Sequence, residues 1–251
     1  MNADVPVPMD GYYPGLRLLG ALHWDAMKQR IAMSNRIGSP DVEAKMKERL
    51  TDFVAGLEET EEAARKMLIG EFKAVAPHLV KWCDSVPGVG IPTIARLVGV
   101  IGAPAIAYPF VWETDADGKR AERPTALEPY WRSLGQLRSY CGYGDPNRRR
   151  RRGMTAEEAL GLGNPDAKTL LFLVVQSCVK VNRGPIREAY DLARAKYAPL
   201  QEIPTDAGGI TAGHAQNRAY RFAAKEVIKR LWVADREHYG LSGEASTPVA
   251  A

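Results

Sequence analysis

The 251-residue chain is poor in the residues that make cross-links. Its three cysteines, Cys83, Cys141 and Cys178, are odd in number, far apart and in no Cys-x-x-Cys arrangement. That pattern indicates neither a disulfide framework nor zinc. Four histidines, His23, His78, His214 and His238, are scattered and add no metal-ligand spacing, so no metal or other cofactor is expected. No apolar run reaches the ~18–20 residues of a membrane span. The start, Met1-Asn-Ala-Asp-Val-Pro-Val-Pro, lacks the basic-then-apolar order of a secretory leader. No membrane partner is expected, and a cytoplasmic location follows.

What is present is a globular composition, 45% hydrophobic and 25% charged, enough for one large or two small domains. Residues 1–15 hold three prolines, Pro6, Pro8 and Pro14, without periodicity and are expected to form an irregular arm. Over 16–37, Leu18, Leu22, Met27, Ile31 and Met33 follow a helical pattern closed by Gly38-Ser39-Pro40. Residues 41–76 are the clearest periodic segment: Val42, Met46, Leu50, Phe53 and Leu57 are spaced four, four, three and four, and Ala64, Met67 or Leu68, Phe72 and Val75 continue the row. This is the seam of a long, coiled-coil-like helix, closed either within the chain or by a second copy. The run Glu58-Glu59-Thr60-Glu61-Glu62 reads as its solvated face.

A helix-hairpin-helix follows. A helix carrying Leu79, Val80 and Trp82 enters the turn Pro87-Gly88-Val89-Gly90, and a second begins near Pro92 and continues with Thr93, Ile94, Ala95, Leu97 and Val98. Two readings fit. Gly88, Val89, Gly90 and Thr93 present backbone N–H groups and a helix N-terminus to a phosphate of DNA, or the turn only packs the core. Residues 103–130 change character, with Pro104, Pro109, Pro124 and Pro129 and an Asp117-Gly118 pair between extended pieces. They predict a small β-hairpin insertion, either a surface elaboration or a flap on DNA or a partner.

Net charge is only +4, but its distribution is uneven. Between Arg132 and Arg152 stand seven arginines (Arg132, Arg138, Arg148, Arg149, Arg150, Arg151, Arg152) against a single acid, Asp145. Five consecutive guanidinium groups repel one another unless phosphates neutralise them, although a solvated loop has the same composition. Asn164-Pro165 then forms an N-cap and first helical position ahead of the apolar 170–179 segment, and a further helix spans 185–197. The last long helix, 214–239, has Tyr220, Ala224, Val227, Ile228, Leu231 and Trp232 on one stripe and Arg218, Arg221, Lys225 and Lys229 on another. The basic stripe follows a phosphate backbone or is plainly solvated. Residues 241–251 are expected to be a disordered tail.

The order of these features resembles the C-terminal part of transposases of the IS-one-ten insertion-sequence family, which includes DNA invertases of the Piv type. The resemblance runs through residues 25–37, the long helix 41–76, Val86-Pro-Gly-Val-Gly90, Gly135-Gln-Leu-Arg-Ser-Tyr-Cys-Gly142, Gly163-Asn-Pro165 with its apolar helix, and the terminal basic helix. It covers about 16–239 and implies a DNA-recombination protein of a mobile genetic element. The family also carries a RuvC-like domain with four metal-binding acids, and nothing ahead of Leu16 matches it. The family's nucleophilic serine belongs in the loop between the aromatic-Gly turn and the Gly-Asn segment. Here 143–163 contains no serine, Arg148 to Arg152 stand in that loop, and neither Ser139 nor Thr155 is at the matching position.

The expectation is therefore a mainly α fold: a long helical region over 16–82, then a helix-hairpin-helix domain over 83–240 with the 103–130 insertion. Its expected function is non-catalytic DNA binding. The contacts are assigned to Gly88, Val89, Gly90, Thr93, Arg138, Arg148, Arg149, Arg150, Arg151, Arg152, Arg218, Arg221, Lys225 and Lys229, with homodimerisation through 41–76. The alternatives are a recombinase subunit completed by a separate RuvC-like partner protein, and a structural module that binds structured RNA or an acidic protein.

Overall fold

Proline opens most of the helices, where its missing N–H costs nothing and its fixed φ suits the first turn. The computed structural model describes residues 7, 12–40, 42–108, 110–114, 120–124, 128–145, 151–155, 158–159 and 161–241. The fold is mainly α with a small β-hairpin. Helix α1, Pro14–Ile37, and helix α2, Ala44–Val75, form a pair joined at residues 38–43. α1 buries Leu16, Gly20, His23 and Ala26, and α2 buries Ala64, Leu68 and Phe72, positions three or four apart as an apolar stripe requires. Arg30 and Glu61 bridge the pair.

The seam of α2 is divided by this packing. Its second half is spent within the chain, where Leu68 and Phe72 are fully buried. In the first half Met46 and Phe53 remain 47% and 53% exposed. The α2 helix runs unbroken through Gly56 and Gly70, both of which face open space.

Pro77 ends the helical run at Ala76, whose φ of −142° lies outside the α region, as expected for a residue preceding proline. Helix α3, Pro77–Ser85, and helix α4, Ile91–Ile101, are the two arms of the expected hairpin. α4 is the most apolar helix, burying Ile94, Ala95, Leu97, Val98, Gly99 and Ile101. A Cβ at Gly99 would lie 2.9 Å from the Leu16 carbonyl oxygen, so glycine lets α1 cross α4 closely.

The insertion contains two antiparallel ladders. Strands β1, Ile106–Ala107, and β4, Tyr130–Trp131, pair at its base. Strands β2, Phe110–Thr114, and β3, Arg120–Pro124, form the expected hairpin, in register from Phe110 opposite Pro124 to Thr114 opposite Arg120. Asp117-Gly118 lies outside the described residues, as do most of the expected arm and nearly all of the expected tail.

Helix α5, Leu134–Tyr140, starts with a capping box in which Ser133 and Gln136 satisfy each other's backbone N–H. Helices α6, Pro165–Val181, α7, Pro185–Tyr197, and α8, Ala212–His238, complete the chain, with two short 3-10 turns between α7 and α8. One contiguous core joins Leu16, Phe72, Ile94, Leu137, Leu171 and Leu231, drawn from six helices. Each such side chain contributes about 1.5–3 kcal/mol through burial.

A polar network ties α8 to the insertion base. Asp235 is fully buried, accepting from the Ala105 N–H at 2.7 Å and lying 2.8 Å from His78 Nε2. Trp232 Nε1–H donates to the Arg132 carbonyl at 2.8 Å, and Arg132 is itself buried, its Nη1 donating to the Ile101 carbonyl at 3.3 Å. Arg132 thus belongs to the interior and not to the exposed positive charge of its stretch. Among the described residues no helix is long and apolar enough to cross a membrane.

Candidate nucleic-acid interface

The hairpin turn has two different sides. Gly88 has φ +84°, and a Cβ there would lie 2.6 Å from the Cys178 Cα of α6. Pro87 packs on Gly184, where an added Cβ would be 3.0 Å from the proline ring. Glycine at 88 is therefore explained by packing against a helix backbone. Gly90 is different. It is exposed, caps α4 by accepting from the Thr93 and Ile94 N–H groups at 3.1 Å, and has only Thr93 Oγ1 near its open face. Among the described residues, the amides of Gly90 and Ile91 donate to no acceptor. Val89 and Thr93 are half-buried beside them.

A second junction fixes the root of the arginine loop. Gly163, φ +87°, sits so close to the end of α5 that a Cβ would meet Ser139 O and Gly142 N at 2.6 Å. The Asn164 N–H donates to the Tyr140 carbonyl at 2.6 Å, and its side chain caps α6 by accepting from Asp166 and Ala167 N–H. The Tyr-Cys-Gly and Gly-Asn segments are thereby one unit in space. Tyr143 is buried against it, its hydroxyl donating to the Lys168 carbonyl at 3.4 Å.

Arg138 of α5 meets Arg221 and Lys225 of α8 at this junction. The Arg221 guanidinium lies over the Tyr143 ring, 5.6 Å from its centroid, with Nη2 at 3.5 and 3.4 Å from the Gly144 and Asp145 carbonyls. Among the described residues, Arg138 Nε and Nη2 and Arg221 Nε are buried with no hydrogen-bond acceptor. Burial lowers the pKa of Arg138, opposed by the Glu226 charge. Burial lowers that of Lys225 too, reinforced by the charges of Arg221 and Arg138. Glu226 is occupied, accepting from Arg230 Nε at 2.7 Å. Three cations therefore share one half-buried neighbourhood, with buried donors unpaired among the described residues.

The remaining expected contacts divide. Arg218 is exposed, with its guanidinium over the Tyr197 ring of α7 at 5.4 Å. Lys229 is half-buried and lines an open cleft of about 320 Å³ between α3 and α8, beside Trp82 and Arg230. Arg151 and Arg152 are exposed, and Arg148, Arg149 and Arg150 lie outside the described residues. The hairpin turn and the cluster are separate places. Lys168 of α6 touches Tyr143 and Cys178 touches Gly88, ten residues apart, or ~15 Å along the helix. Tyr143, the ring beneath Arg221, was not among the expected contacts; its one signal in the sequence is its place between Gly142 and Gly144.

Among the described residues, no three His, Cys, Asp or Glu side chains are grouped to hold a metal ion. No protein-family model, curated protein or solved structure matches the chain. The functional reading rests on the chain's own residues.

Proposed function

We propose that the protein is a non-catalytic, cytoplasmic DNA-binding protein, related in descent to the transposase part of the IS-one-ten family. It grips phosphates at the junction of α5 and α8. The observation that carries this reading is the cluster of Arg138, Arg221 and Lys225, where buried guanidinium N–H groups lack acceptors among the described residues and the one carboxylate acting on Arg138, Glu226, is already paired with Arg230. A protein that keeps such a cluster is stabilised by any polyanion that enters it. Arg151 and Arg152, Arg218 and Lys229 extend the positive surface to either side, and Gly90 with Ile91 offers backbone N–H groups at the α4 N-terminus. Contacts of this kind position a duplex without reading its bases.

A second copy is the proposed partner of α2. Met46 and Phe53 are exposed at coiled-coil spacing and extend the row whose other end is buried within the chain.

The test is a salt titration of binding to duplex DNA, a four-way junction and a structured RNA. For duplex DNA the expected log K falls linearly with log salt, and replacing Arg138, Arg221 and Lys225 with Gln makes the slope shallower by roughly two to three. Duplex affinity insensitive to salt, or unchanged by the triple replacement, overturns the proposal. Preference for the RNA over both DNAs reassigns the ligand.

A further inference from the structure

The cluster is half-buried, and that favours one kind of phosphate over another. Arg138 and Arg221 are half-buried, and the nitrogens that lack acceptors are the ones withdrawn from solvent. A phosphodiester inside a continuous strand has its chain leaving in two directions, so its phosphorus stays at the height of the backbone. It has two unesterified oxygens and one negative charge. A phosphate monoester at a strand end is free on all sides but one, offers three acceptor oxygens and carries close to two charges near neutral pH. Three cations with unused donors match the second better in charge, in number of acceptors and in reach.

We infer that the cluster of Arg138, Arg221 and Lys225, beside Tyr143, is a seat for a terminal phosphate monoester, so that the protein distinguishes phosphorylated nucleic-acid ends from hydroxyl ends. This rests on the DNA-binding reading above and adds to it a preference for ends. The surroundings agree. Lys225 is disfavoured as a cation by its own burial and by its two arginine neighbours, and a dianion placed among the three offsets that repulsion. Glu226, the acid acting on Arg138, is already paired with Arg230. The Gly142 and Gly163 backbone, locked against the α5 terminus, gives the cluster a rigid base.

The experiment uses the full chain and one duplex sequence in three forms: 5′-phosphorylated, 3′-phosphorylated and with hydroxyls at all ends. Binding is measured at fixed salt, with inorganic phosphate as a competitor in a separate arm. The expected result is binding tighter by roughly tenfold or more for a phosphorylated form than for the hydroxyl form, in keeping with two or three charge-assisted hydrogen bonds. Inorganic phosphate at millimolar concentration should erase the difference. Arg138→Gln and, independently, Lys225→Gln should remove the preference while leaving residual duplex binding. Lys225 stands on a different helix from Arg138, so a loss of preference in both variants with unchanged melting temperatures separates the seat from a folding defect. Equal affinity for all three duplexes, with binding intact, overturns the monoester seat and leaves the DNA-binding reading standing. A preference retained in both variants also overturns it. Failure of the wild-type protein to bind any duplex at low salt overturns both.

Discussion

Gly88→Ala separates a packing role of the hairpin turn from a ligand role. The substitution forces an L-residue to a φ of +84°, which costs about 1–2 kcal/mol. It also places a Cβ 2.6 Å from the Cys178 Cα and 3.0 Å from its nitrogen, backbone atoms in the middle of a helix turn that cannot swing aside. Overpacking of this sort costs about 1–3 kcal/mol, so a total near 3 kcal/mol is expected. For a chain of this size that lowers the melting temperature by roughly 6–12 °C. The companion Gly90→Ala starts from φ −91° with its nearest neighbour at 3.8 Å, so it should change stability by no more than about 1 kcal/mol, the scale of a helix N-cap change. Calorimetry on both variants, with duplex affinity measured well below each melting temperature, gives the comparison. A Gly88→Ala protein that melts with the wild type but no longer binds DNA would refute the packing argument and return the glycine to the phosphate.

Three further expectations follow from the buried and exposed side chains. Asp235→Ala leaves the Ala105 N–H and His78 without their buried acceptor and, at about 1–3 kcal/mol per unsatisfied donor, should cost about 2–6 kcal/mol in denaturant unfolding; a loss below about 1 kcal/mol would show the network to be dispensable. His23 is buried between α1, α2 and α4, its pKa lowered by burial and by Arg96 and Arg65 against the opposing charges of Glu61 and Glu62. The unfolded chain therefore takes up the proton first, so this contribution is complete above the ordinary imidazole value of about 6.5 and declines as the pH drops below it. Unfolding free energies at about pH 7.5 and about pH 5.5 should differ less in His23→Gln than in the wild type, and equal differences would count against the assignment. Changing Leu50 and Phe53 to Asp should halve the sedimenting mass if α2 pairs two copies, and an unchanged mass would sink that proposal.

Local chemistry made much of the architecture legible. Asn164-Pro165 starts α6 because an amide side chain caps the first turn and proline needs no partner there. Pro87-Gly88-Val89-Gly90 breaks the chain between α3 and α4, and the three-four spacing of Ala224, Val227, Ile228 and Leu231 marks the buried stripe of α8. Other features were illegible because they depend on groups far away in the chain. Arg132 and Arg151 are the same residue type in one basic stretch, yet Arg132 is buried under Trp232 and Arg151 is exposed. The seam of α2 reads as one row, but α1 and the core cover only its second half.

By itself the sequence determined the helices, the turn between α3 and α4, the β-hairpin and the presence of excess arginine, because period, capping and turn residues act over a few positions of the chain. Only the tertiary structure decided that Gly88 serves Cys178, that Arg138 stands beside residues 221 and 225, and that their donors find no acceptor. Burial and charge compensation are sums over neighbours in space, and the neighbours here come from segments more than 80 residues apart.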